Sequence, residues 1–129
     1  MRDGTAYETI ERRLAASDAL LGQAPMLVVP LIRLDGAQQY PDGERLGAER
    51  QMFLLSAGAG IENFLLALHA QGLASCWVSS TLFCKEETRE VLGLDHEWIP
   101  MGAVAIGRPP QGESPPRPSL DVGRHLRFE

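Results

Sequence analysis

The chain has 129 residues, a hydrophobic share of 44% and a formal net charge of -5, enough apolar content for one packed domain. The acidic balance and the absence of any dense Lys/Arg run argue against grip on a phosphate backbone, so no nucleic-acid partner is expected. The start MRDGTAYETIERR has no apolar h-region, Pro30, Arg33 and His69 break the apolar stretches, and Cys76 and Cys84 fit no zinc or redox spacing, so the expectation is a cytoplasmic protein with no membrane and no metal partner.

Residues Tyr7 to Leu21 read as a helix, with Ile10, Leu14, Ala15 and Leu21 at helical spacing and Glu8 four residues before Arg12. Thr5 is placed to cap it and Gly22 to stop it. Ala24 to Ile32 is a nearly continuous apolar run, suited to a strand buried on both faces. Pro30 cannot donate to a ladder, so it belongs at a bulge, an edge or the strand's end. Asp35 to Gly43 (DGAQQYPDG) is a loop.

Glu44 to Gln71 predicts a long helix, apolar on most sides of its second half apart from Glu62, Asn63 and His69. Such a helix is buried or shared with a partner. Gly58 and Gly60 each cost about 1 kcal/mol against Ala in a helix interior, which implies close approach of another element to the small patch Ser56–Gly60. Gly72 closes the helix. Ala74 to Ser80 is a strand, Lys85 to Leu92 a short helix stopped by Gly93, and Met101 to Ile106 a second buried strand ended by Gly107-Arg108. From Pro109 the run PPQGESPPRPS carries five prolines in eleven residues, so residues 109–129 read as an extended arm. Three strands are few against the usual four to six, so a further strand is expected from upstream or from a second subunit.

The stretch Gly58-Ala59-Gly60-Ile61-Glu62-Asn63-Phe64-Leu65-Leu66-Ala67-Leu68-His69-Ala70-Gln71-Gly72-Leu73-Ala74-Ser75-Cys76-Trp77-Val78-Ser79-Ser80 resembles the central helix and following strand of the nitroreductase family. Trp98-Ile99-Pro100-Met101-Gly102-Ala103-Val104-Ala105-Ile106-Gly107-Arg108-Pro109 resembles that family's later strand end. Within the family, Ala24-Pro25, Asp35-Gly36-Ala37, Tyr40-Pro41-Asp42, Met52-Phe53 and Ser80-Thr81-Leu82-Phe83 follow the order of the flavin domain of actinobacterial F-420 gamma-glutamyl ligases. The resemblance runs from about Ile10 to Arg117. It implies an α/β (α+β) fold with a central mixed sheet flanked by helices, a long central helix and an extended C-terminal arm. It further implies a homodimer around the long helix, FMN as cofactor, and hydride delivery to a small-molecule substrate, an unsaturated F-420 precursor. The family's Arg-Arg-Ser-x-Arg-like phosphate-gripping opening has no counterpart here, so the domain is expected to be N-terminally incomplete and FMN binding weak or absent. The alternative function is a flavin-free module that binds an F-420-type ligand or dimerises without catalysis.

Read alone, Ser79-Ser80-Thr81 is a Ser/Thr-rich turn before a helix. The resemblance places its amides beside the flavin ring, where such donors tune hydride transfer. Arg117 and Arg108 read as solvated arginines; the resemblance makes them phosphate partners, a task suited to the guanidinium fork. Gly58-x-Gly60 lies inside a helix, which rules out a dinucleotide loop. His69, His96 and His125 lack partners at metal spacing. Glu62 and Asn63 are assigned to a buried cap or interhelix bond, Cys76 and Cys84 to apolar packing, and Trp77 and Trp98 to core or interface anchoring. No catalytic acid, base or nucleophile stands out, as suits a reaction carried by a cofactor.

Overall fold

A computed structural model describes residues 7–109, 111–112 and 119–126. Helix α1 spans Tyr7–Gln23. It runs past Gly22, expected to stop it, because the stronger signal is Pro25, which bars the preceding residue from helical geometry. The Thr5 cap lies outside the described residues.

The apolar run from Ala24 divides into β1 (Met26–Val28) and β2 (Leu31–Ile32). The break falls at Val29-Pro30, where the missing proline donor ends one ladder, and the Pro30 carbonyl instead accepts from Met101 N at 2.9 Å. After the loop, α2 runs over Gly43–Ala70. Asp42 caps it from extended backbone (φ -117, ψ 151) and accepts from Arg45 N at 2.8 Å. Strand β3 (Ala74–Val78) leads into the short helix α3 (Ser80–Phe83) and then α4 (Lys85–Leu92), which Gly93 terminates in the left-handed region (φ 65). Strand β4 is Ile99–Pro100 and β5 is Ala103–Gly107.

The strands form a three-stranded sheet in the order β1-β5-β3 and a two-stranded sheet of β2 with β4. All of these pairings among the described residues are antiparallel. The crossover helices α3 and α4 return the chain beside β3 in the opposite direction, so no parallel neighbour arises among the described residues. Five strands replace the three expected because Pro30 cuts the run from Ala24 in two and a short strand, Ile99–Pro100, precedes the expected Met101–Ile106, which itself pairs only from Ala103. Near the end, Val122–Arg124 forms a 3-10 turn, while most of the proline run expected to form the extended arm over 109–129 lies outside the described residues.

The core lies between α2 and the sheet. Ile61 and Leu68 of α2 meet Met101, Val104 and Ile106, with Leu54, Ala57, Phe64 and Leu65 packed around them. These α2 positions recur at three- and four-residue intervals and so form one stripe. The opposite stripe, Met52, Leu55 and Leu66, is more than half exposed. Glu62, Asn63 and His69 are also exposed, so the buried cap or interhelix bond assigned to the first two does not form. A Cβ at Gly58 or Gly60 would meet nothing within 4 Å, so no described element of this chain makes the close approach their presence implies. In length and composition α2 could cross a membrane, although the sequence reading found no such span; its charges are too few to break the apolar window. The sheet-facing stripe assigns one side of it to this domain's core.

Candidate functional site

The β3–α3 junction carries the three turn residues singled out in the sequence, and each has a different environment. Ser79 is exposed, sits at the N-cap of α3 (φ -85, ψ 2) and makes no capping bond through its side chain. The Thr81 hydroxyl accepts from Gly102 N at 3.0 Å. The Ser80 hydroxyl is buried and has no hydrogen-bond partner among the described residues. A buried hydroxyl without a partner loses its hydration for nothing in return, so Ser80 is the group of the turn that a ligand would satisfy.

The junction is held from the far side by the β4–β5 connection. Trp77 Nε1 donates to the Met101 carbonyl at 2.8 Å. Gly102 adopts φ +100, and a Cβ there would lie 2.3 Å from Trp77 Nε1 and 2.6 Å from the Val78 carbonyl oxygen. Both the dihedral and the space demand glycine. Trp77, expected to be a core or interface anchor, is 40% exposed and donates its indole N–H within the chain. Cys84, expected to pack as an apolar group, is half-buried and donates its thiol to the Ser80 carbonyl at 3.2 Å. Cys76 is exposed.

Arg108 stands at the other end of the sheet. The register pairs Val78 with Ala103 and Ala74 with Gly107. Arg108 follows Gly107, whereas the Ser79–Thr81 turn follows Val78, so five residues of strand, roughly 17 Å, separate them. Arg108 is exposed. Arg117 lies outside the described residues. The arrangement therefore brings Ser79, Ser80 and Thr81 together and leaves Arg108 apart.

Two pockets flank the sheet. One, of about 310 Å³, lies between α1 and the Ala74–Gly107 end, lined by Leu20, Gln23, Ser75, Cys76, Ile106 and Gly107 among others. The second, of about 330 Å³, is apolar and is lined by Val28, Ile32, Ala57, Ile61, Phe64 and Met101 among others. Neither includes the Ser79–Thr81 turn.

Charge near the loops is largely paired. Arg33 contacts Asp35 and Glu97 and lies 5.2 Å from the Trp98 ring centroid; Trp98 thus anchors a cation. The contact with Asp35 first, and the field of Glu97 after it, raise the Arg33 pKa. Asp42 titrates below the ordinary aspartate range, first through the Arg45 amide and then through the Arg45 side chain. Arg89 pairs with Glu86 and donates to the Trp98 carbonyl at 3.0 Å. Among the described residues no cluster of three or more His, Cys, Asp or Glu is arranged to hold a metal.

The sequence profile of the nitroreductase family matches residues 3–108. The chain belongs to the nitroreductase family. Its fold is similar to that of a nitroreductase-like family protein from Bacillus cereus, at 21% identity and a TM-score of 0.64, over 96% of this chain and 60% of that one. It is also similar to a nitroreductase-type protein from Desulfovibrio desulfuricans solved in complex with FMN. That match has 22% identity and a TM-score of 0.52, covering 100% of this chain and 88% of the other. The chain thus spans 60% of the length of the Bacillus cereus protein. These matches agree with the α+β architecture and long central helix expected of the family.

Gly102, and the Trp77 N–H it accommodates, escaped the sequence reading. A signal existed, since a lone glycine inside an apolar strand run marks a bend or a close backbone approach. The Asp42 cap was equally visible as an Asp just before the helical pattern.

Proposed function

We propose that this chain is an FMN-dependent oxidoreductase domain whose Ser79–Thr81 turn meets the isoalloxazine ring. The observation that carries the reading is the Ser80 hydroxyl, buried without a partner at the β3–α3 junction of a nitroreductase-family chain. The first amides of a helix have no intrahelical acceptor, so the backbone at Ser80 and Thr81 adds donors beside that hydroxyl. Ring-side chemistry therefore fits the residues present. The phosphate end fits less well, because Arg108 is exposed at the opposite end of the sheet.

Bound and reduced, the flavin would supply a hydride to an unsaturated small-molecule acceptor. The chain's own part is to donate hydrogen bonds to the ring and to fix its plane against the junction. No side chain of the turn is required as an acid or base. The order of motifs shared with F-420 gamma-glutamyl ligases supports an unsaturated F-420 precursor as the acceptor. A homodimer is part of the same proposal. The exposed stripe Met52, Leu55 and Leu66 and the uncovered Gly58 beside it would be buried by a second α2.

A second reading is a flavin-free module that binds an F-420-type ligand or dimerises, and the isolation of Arg108 favours it. The two readings separate in one experiment. The protein is mixed anaerobically with reduced FMN and the unsaturated precursor, and loss of the precursor's double bond is followed by absorbance. The enzyme reading expects turnover that Ser80→Ala lowers; the module reading expects ligand binding without turnover.

A further inference from the structure

We propose that the single peptide unit joining Met101 to Gly102 is a positioning device for the ring-binding turn, with Trp77 and Thr81 as its two handles. The proposal rests on the flavin reading above and adds residues to it. The carbonyl of that peptide accepts from Trp77 Nε1 at 2.8 Å, and its N–H donates to Thr81 Oγ1 at 3.0 Å. Trp77 and Thr81 stand on either side of Val78-Ser79-Ser80. One peptide unit therefore ties down both ends of the segment that contains the buried, unpartnered Ser80 hydroxyl.

The peptide unit is itself fixed. Met101 N donates to the Pro30 carbonyl at 2.9 Å, which anchors it to the β1–β2 break. Gly102 at φ +100 brings the backbone against the Trp77 indole, closer than any side chain would allow. Met101 is buried. The turn is thus referenced to the core through two side chains rather than through its own helix, which has only four residues. Preorganised donors lose no energy to reorientation when a ligand arrives. Thr81 accordingly acts through the turn: its hydroxyl accepts from Gly102, and the contact to a ring falls to Ser80 and the backbone.

The test uses three variants of the full chain: Thr81→Val, which keeps shape and removes the acceptor; Trp77→Phe, which removes the donor and keeps a ring; and Thr81→Ser, which restores the hydroxyl. Amide hydrogen exchange is measured for the peptide covering 79–83 without ligand, and riboflavin affinity by flavin fluorescence. Loss of one hydrogen bond should speed exchange there about tenfold, and Thr81→Val and Trp77→Phe should each weaken riboflavin by a similar factor. Thr81→Ser should match wild type in both. Exchange unchanged in Thr81→Val, failure of Thr81→Ser to restore it, or wild-type riboflavin affinity in both loss variants overturns the proposal. A wild type that binds no riboflavin removes the flavin reading and the positioning role with it, while the exchange data still decide whether the peptide holds the turn.

Discussion

The two ends of the β3–β5 ladder are built to different standards. At the Val78–Ala103 end, an indole, a threonine hydroxyl and a positive-φ glycine converge on one peptide unit. At the Ala74–Gly107 end, five residues away, the chain leaves a pocket of about 310 Å³ under α1 and an exposed Arg108. The first end is specified by side-chain hydrogen bonds, and the second by little beyond the strand pairing itself. That contrast locates the fixed part of the candidate site at the turn and leaves the other end to a second contact, from a ligand or another copy.

The sharpest way to break this comparison is to add one methyl group at each end. Gly102→Ala should destabilise the chain by about 3 kcal/mol, because the methyl group meets Trp77 and Val78 while the backbone stays at positive φ. Gly107→Ala meets only the Pro25 ring, Cδ at 3.3 Å and Cγ at 3.8 Å, and its cost should stay below about 1 kcal/mol. Urea midpoints measure both; equal losses at the two ends would erase the contrast.

The outer face of α2 extends the comparison to a second copy. A Cβ at Gly58 meets open space within one chain, so Gly58→Leu should leave the monomer's packing intact. In a dimer built on that face it should overpack the contact by about 1–3 kcal/mol, a roughly 5- to 150-fold weaker association. Sedimentation equilibrium gives the answer, and a wild type that stays monomeric at high concentration would remove the dimer from the account.

The smallest effect is expected far from both ends, at the α2 cap. Asp42 has a depressed pKa because Arg45 hydrogen-bonds its charged form. Its stabilisation is therefore complete above the pKa of an unfolded aspartate and disappears as pH falls through the lower folded value. Asp42→Asn keeps a good cap and loses the charge. Its melting temperature should fall slightly below wild type at pH 7, and the two should converge in acid. A gap that persists at low pH would assign the loss to cap geometry.

Much of the fold could be read before the structure. Lys85–Leu92 appears with those bounds, since its glycine stop is a local signal. The apolar pattern of α2 was also legible, although which stripe faces the sheet was not. The break at Pro30 was legible from its missing donor, whereas the demand for glycine at position 102 comes from the indole and carbonyl packed against it from another strand. The assignment of Ser79–Thr81 as a candidate site came only from the family resemblance. The separation of Arg108 from that turn needed the strand register, which no local pattern carries.

Under the proposed function the flavin ring meets the Ser79–Thr81 turn, while no described residue of the same chain grips its phosphate. Parallel fluorescence titrations with riboflavin and FMN test this most directly. The expected result is weak binding of both, with dissociation constants within about tenfold of each other. A phosphate held by charge-assisted hydrogen bonds would contribute roughly 1.5–3 kcal/mol for each, and every 1.4 kcal/mol is tenfold. FMN bound a hundredfold or more tightly than riboflavin would contradict the claim, and so would a protein that perturbs neither spectrum.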